Sequence, residues 1–151
     1  MWARWKSLLL LLILKRKTTS VVLVRRLHAN PIPIQWPLGK GHEFLGSMDL
    51  VAGNAWIYPL ETDGLDYTVE PIPEEAKELF QEKRTAMIEG LADLDDTDAE
   101  LYLGGKEVPA DEIRRALRTA TLATAATPVL CGTALKNKGS QQLLAAVVDY
   151  L

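Results

Sequence analysis

The sequence predicts an α/β fold made of two unlike parts, a small α+β lobe followed by a strand, a loop and a helix. Three observations predict it. Between Pro31 and Val69, short β-prone runs alternate with Gly, Pro and Asn turn signals. From Pro73 to Leu94, and again from Ala110 to Ala123, apolar residues recur every three or four positions, as on helices with one buried side. Finally, Val129–Leu130–Cys131 is an uninterrupted apolar run leading through "CGTALKNKG" into a third helical pattern, which is how a strand buried on both faces enters a βα unit.

Composition supports a folded core and narrows the function. The chain has 151 residues, of which 48% are hydrophobic, enough for one domain. Its net charge of −3 conceals an asymmetry: Met1 to His42 holds eight Lys/Arg and no acid, and the remainder holds nine against twenty. A basic, acid-free opening is shared by organelle-import segments, while an acidic body argues against direct sequence-specific binding of nucleic acid. The single cysteine, Cys131, excludes an internal disulfide and a cysteine cluster for zinc. His28 and His42 lie fourteen residues apart with no carboxylate between them, which disfavours a metal site.

Residues 1–25 read as a basic N-terminal segment, presequence-like or a start without function. Its apolar run Leu8–Leu14 spans only about 10 Å as a helix, whereas a bilayer crossing takes roughly 20 residues, so no membrane partner is expected. From Pro31, the alternating prolines of "PIPIQWPLG" forbid a helix and predict one extended, edge-like strand. "EFLGSMDLV" places Phe44, Met48 and Leu50 on one face, and the turn Ala52–Gly53–Asn54 then returns the chain into "AWIYPL", making a hairpin. A third short strand is expected at Tyr67–Val69, with Trp36, Trp56 and Tyr58 packing the sheet.

Pro73 opens the first helix, where Glu74 and Glu75 complement the helix dipole, and Ala76, Leu79, Phe80, Met87 and Leu91 form its stripe, interrupted by a snorkelling Lys83. Asp95–Asp98 reads as a solvated acidic turn capping a short helix Ala99–Leu103; it lacks the spacing of a calcium loop. The helix Ala110–Ala123 should bury Ile113, Ala116, Leu117 and Ala120 and turn Arg114, Arg115 and Arg118 outward. In the final helix Ser140 is the expected cap, and Leu143, Leu144, Val147, Val148 and Leu151 the buried side. The strand Val129–Cys131 calls for parallel neighbours that no upstream segment is expected to supply. Both ends therefore read as cut.

Catalytic motifs are missing from these 151 residues. A phosphate loop, G-x-x-x-x-G-K-S/T, needs backbone N–H groups around the phosphates, a neutralising Lys and a hydroxyl for magnesium. Neither Gly39–Lys40 nor Gly105–Lys106 meets that pattern. Asn137–Lys138 matches the start of the guanine-reading N-K-x-D, but Ser140 stands where the base-accepting carboxylate belongs. No nucleophile elbow or H-E-x-x-H is present, and Cys131 reads as an inert core thiol.

From about Arg26 to Leu151 the chain resembles elongation factor G, a translational GTPase family. The blocks "RLHANPIPIQWPLG", "FLGSMDLV", "YLGGKEVPADEIRRALR" and "PVLCGTALKNKGSQQLLAAVVDYL" follow the family's blocks in order. His28 departs from the usual glycine, Pro109 from a capping Thr, and Thr133 from a serine. The resemblance implies an incomplete P-loop GTPase domain, represented by its last strand and helix at 127–151, with an inserted α+β subdomain at 26–126 that faces the ribosomal stalk protein.

It also implies that Thr133, Ala134 and Leu135 form the loop whose backbone N–H donates to guanine O6; Thr retains the hydroxyl of Ser. GTP with Mg2+ belongs to the parent protein, whose phosphate loop, magnesium ligands and catalytic groups all precede the region matched. The chain alone is expected neither to bind nor to hydrolyse GTP well, since phosphate contacts and magnesium carry most of the affinity and the chemistry. The alternative is a stand-alone module that binds the ribosomal stalk without nucleotide. The compartment implied is mitochondrial or the bacterial cytoplasm.

Overall fold

The computed structural model describes residues 9–12, 29–39, 44–59, 64, 66–94, 108–133 and 136–151. They form two sheets and three helices. A parallel sheet has the order β1 (Leu9–Leu12), β7 (Thr127–Gly132), β2 (Pro31–Pro33). An antiparallel sheet runs β3 (Gln35–Leu38), β4 (Gly46–Asp49), β5 (Asn54–Ile57), β6 (Thr68–Pro71). The helices are α1 (Lys77–Ala92), entered through a 3-10 turn at Glu74–Ala76, α2 (Ala110–Leu122) and α3 (Ser140–Tyr150). The acidic turn Asp95–Asp98, the helix Ala99–Leu103 and both histidines lie outside the described residues.

Two expectations are corrected at the parallel sheet. The strand around Val129 has neighbours on both sides: Leu9 pairs with Val129 and Leu12 with Gly132 on one edge, and Pro31 with Thr127 and Pro33 with Val129 on the other. Part of the apolar run of the basic opening is thus a sheet strand. A run of leucines has no periodicity by which a strand could be told from a helix.

The stretch "PIPIQWPL", expected as one edge strand, is divided between the sheets at Ile34. Its N–H donates to Val129 O at 3.0 Å, while its carbonyl accepts from Leu50 N at 3.0 Å. The prolines explain the division: a residue without an N–H cannot hold an unbroken ladder, and Pro31, Pro33 and Pro37 leave Ile34 to donate across the junction. At the next position the Gln35 side chain extends the parallel sheet in place of backbone, its Oε1 accepting from Cys131 N at 3.3 Å.

The antiparallel sheet follows the expected hairpin. The Asp49 carboxylate accepts from Val51 N at 2.8 Å and Ala52 N at 2.9 Å, closing the turn that leads to β5. Met48 and Leu50 are fully buried and Phe44 half-buried. The third strand begins at Thr68, one residue later than expected, and is exposed along its length. Tyr58 is buried, while Trp36 and Trp56 are half-buried. Lys83 holds its ammonium 4.7 Å from the Trp36 ring centroid, as a snorkelling lysine over an aromatic does.

The helices cover the junction between the sheets. Phe80, Met87 and Leu91 of α1 and Ile113, Ala116, Leu117 and Ala120 of α2 are buried as the periodicity requires, whereas Leu79 is exposed. Phe80, Met87, Leu91, Ile113, Leu117 and Ala120 join Ile32, Ile34, Met48, Leu50 and Leu130 in one core spanning both sheets. Arg84 of α1 stitches separate segments: its guanidinium donates to the carbonyls of Leu50, Val51 (2.9 Å) and Val108 (3.1 Å).

α3 reverses the expected orientation. It buries Gln142, Ala146 and Tyr150, while Leu144 and Val148 are 66% and 76% exposed, and Val147 and Leu151 are also exposed. Two polar contacts accompany this orientation. The Gln142 carbonyl accepts from Tyr58 OH at 2.7 Å, and Arg118 of α2 donates to Asp149 O at 2.8 Å, holding the last turn of α3.

Candidate functional site

β7 ends at Gly132, and the chain turns back on itself immediately. Thr133 N donates to Lys138 O at 2.8 Å and Lys138 N to Thr133 O at 3.1 Å, a reciprocal antiparallel bridge. Lys136 N also donates to Thr133 O, at 3.2 Å. A loop of this width needs backbone in the left-handed region to close. Asn137 has φ 50° and Gly139 φ 96°. Gly139 precedes the first turn of α3, so Ser140 is the first helical residue and not the expected cap; its hydroxyl donates to Asn137 Oδ1 at 2.6 Å.

Of the three expected base-contacting residues, Thr133 is placed at the mouth of this loop, half-buried. Ala134 and Leu135 lie outside the described residues. Asn137 and Lys138 are committed to the fold: Asn137 accepts from Ser140, and Lys138 is buried, its ammonium 5.8 Å from the Tyr58 ring centroid. Cys131, expected in a buried core, is half-buried beside Gln35, its Sγ 4.0 Å from Gln35 Oε1.

The antiparallel sheet reaches this loop, which the sequence did not indicate. Tyr58, following β5, lies against Lys138 and Gln142. Burial pushes its phenol up to about 12, partly offset by hydrogen bonds with the Gly139 backbone and the Gln142 side chain. Further along, Gly64 presses directly on the loop. A Cβ there would stand 2.3 Å from Lys136 O and 2.8 Å from both Asn137 C and Lys138 N, and its φ of +74° already favours glycine. Gln141 Nε2 donates to Gly64 O at 3.3 Å. In the sequence Gly64 is only a turn signal after Asp63, and nothing in its neighbourhood ties it to residues more than seventy positions away.

Among the described residues, no three of His, Cys, Asp and Glu lie close enough to hold a metal ion, and no helix is long and apolar enough to cross a membrane.

No family model matches the chain. Over 129 residues, 85% of the chain, it is 48% identical to elongation factor G of Thermotoga maritima and 49% identical to that of Thermotoga neapolitana. The match covers 18% of each of those proteins, so the chain spans about a fifth of their length. A crystal structure from Thermus thermophilus superposes with a TM-score of 0.69 at 25% identity, covering 89% of this chain and 20% of that one. The chain is homologous to a segment of elongation factor G, and it shares its fold with the matched part of that crystal structure.

Proposed function

We propose that the chain supplies one wall of a guanine pocket and a partner-facing lobe to a ribosome-dependent GTPase of the elongation factor G type, which drives translocation during translation elongation. The observation that carries this reading is the 48% identity over 129 residues, a length that includes far more than the loop alone. Residues 26–126 form the inserted subdomain, whose entry strand β2 is built into the parallel sheet, and residues 127–151 return to the GTPase domain.

This reading divides the roles within the triplet. Guanine O6 accepts from the backbone N–H of Ala134 or Leu135, Thr133 N–H being engaged by Lys138 O. GTP and Mg2+ bind the complete protein through phosphate and metal contacts that these residues do not provide. The compartment is one with bacterial-type ribosomes, the bacterial cytoplasm or the mitochondrion.

The lobe's partner is the ribosomal stalk. α1 and the 3-10 turn before it offer the surface, with Glu75 of the turn and Glu78, Glu82 and Glu89 of the helix all exposed. Co-sedimentation tests the assignment: the chain should pellet with intact ribosomes and remain in the supernatant when the stalk protein has been stripped. Equal pelleting with stripped ribosomes, or none with intact ones, contradicts it.

A further inference from the structure

The segment that follows β5 meets the loop after β7 and the start of α3 through four contacts. Tyr58 OH donates to Gln142 Oε1 at 2.7 Å in a buried setting, Lys138 is buried against the Tyr58 ring, and Gly64 rests on the backbone of Lys136, Asn137 and Lys138 with no room for one more carbon. Gln141 ties back to Gly64 O. All four contacts bear on the limb Lys136–Gly139 or the first turn of α3, and that limb holds Thr133 by two reciprocal backbone bonds.

We infer that Tyr58 and Gly64 are positioning residues that clamp the Lys136–Gly139 limb from within the inserted lobe, and so hold Thr133, the one described residue of the nucleobase-contacting triplet, through its bridge to Lys138. The second half of this statement rests on the reading of Thr133, Ala134 and Leu135 as a guanine contact; the clamp itself does not.

Amide hydrogen exchange separates the clamp from general stability. Both Thr133 and Lys138 donate within the bridge, whereas Leu50 N donates to Ile34 O in the core. In Tyr58→Phe, which keeps the ring over Lys138 and removes the hydroxyl, exchange at Thr133 and Lys138 should rise ~10-fold while Leu50 changes by less than about 2-fold, since loop opening is a local event. Gly64→Ala should give the same selective rise, and a larger one. Unchanged exchange at Thr133 and Lys138 in Tyr58→Phe overturns the clamp, as does an equal rise at all three amides.

A second arm reads the base. Millimolar guanosine monophosphate, with adenosine monophosphate as control, should shift the amide resonances of Thr133 and Lys136 in the unaltered chain, and shift them less in Tyr58→Phe. Selective exchange without any guanine-specific shift supports the clamp and overturns the nucleobase reading.

Discussion

Leu117→Ala lowers the stability of the fold by about 3 kcal/mol, the middle of the range for truncating a fully buried leucine, and lowers the melting temperature by roughly 6–12 °C. Leu117 is wholly excluded from solvent on the inner side of α2, which packs against α1, α3 and β7 at once. A cavity there faces three separate elements, none of which moves alone to fill it. Exposed Leu122, one turn beyond on the same helix, should cost less than about 0.5 kcal/mol when truncated. Urea unfolding of the two variants measures both values, and equal losses would remove the core from the place described.

α2 was legible for the same reason that Leu117 is sensitive. Its buried residues Ile113, Ala116, Leu117, Ala120 and Thr121 follow helical spacing, and the one polar member, Thr121, satisfies its hydroxyl within the helix by donating to Leu117 O. α3 was not, because its burial is decided by distant partners. The apolar set Leu143, Leu144, Val147, Val148 and Leu151 is at least as regular, yet the Tyr58 hydroxyl draws Gln142 inward and Arg118 grips the last carbonyls. A sequence pattern shows which side is apolar, not which side a partner 84 residues away is waiting for.

The two sheets were legible in unequal measure. Asp49, Gly53 and Asn54 announce a turn, and the hairpin follows. The division at Ile34 depends on which strands lie on either side, and the pairing of Leu9–Leu12 with β7 joins segments about 120 residues apart, which no local signal records. At the candidate site the sequence marks a loop after β7, but not what lies against it, since Tyr58 looks like any sheet aromatic and Gly64 like any turn glycine.

Gly46→Ala should disrupt the antiparallel sheet by about 3 kcal/mol or more, as overpacking at immovable backbone does. Gly46 opens β4 and sits between Leu38 of β3 and Ile57 of β5. A Cβ built there falls 1.9 Å from the Trp56 carbonyl oxygen and 2.9 Å from its carbon, so the β4–β5 ladder must part to admit a methyl group. Ser47, next in line and buried, tolerates Ala far better, because its own Cβ already has a place. Near-ultraviolet circular dichroism, sensitive to Trp56, whose ring centroid lies 4.9 Å from that of Tyr67 with the planes tilted by 47°, should change in Gly46→Ala and not in Ser47→Ala. An unaltered spectrum with unaltered stability for Gly46→Ala contradicts the pairing of β4 with β5.

The proposed division of labour places the guanine-contacting loop in this chain and the phosphate and magnesium contacts outside these 151 residues. Isothermal titration of the purified chain with GTP, with and without Mg2+, tests that division directly. Saturation should require more than about 1 mM GTP and be indifferent to Mg2+, as expected of one base-contacting wall without a phosphate cradle. Saturable binding near ~1 µM or tighter, lost on removing Mg2+, would contradict it.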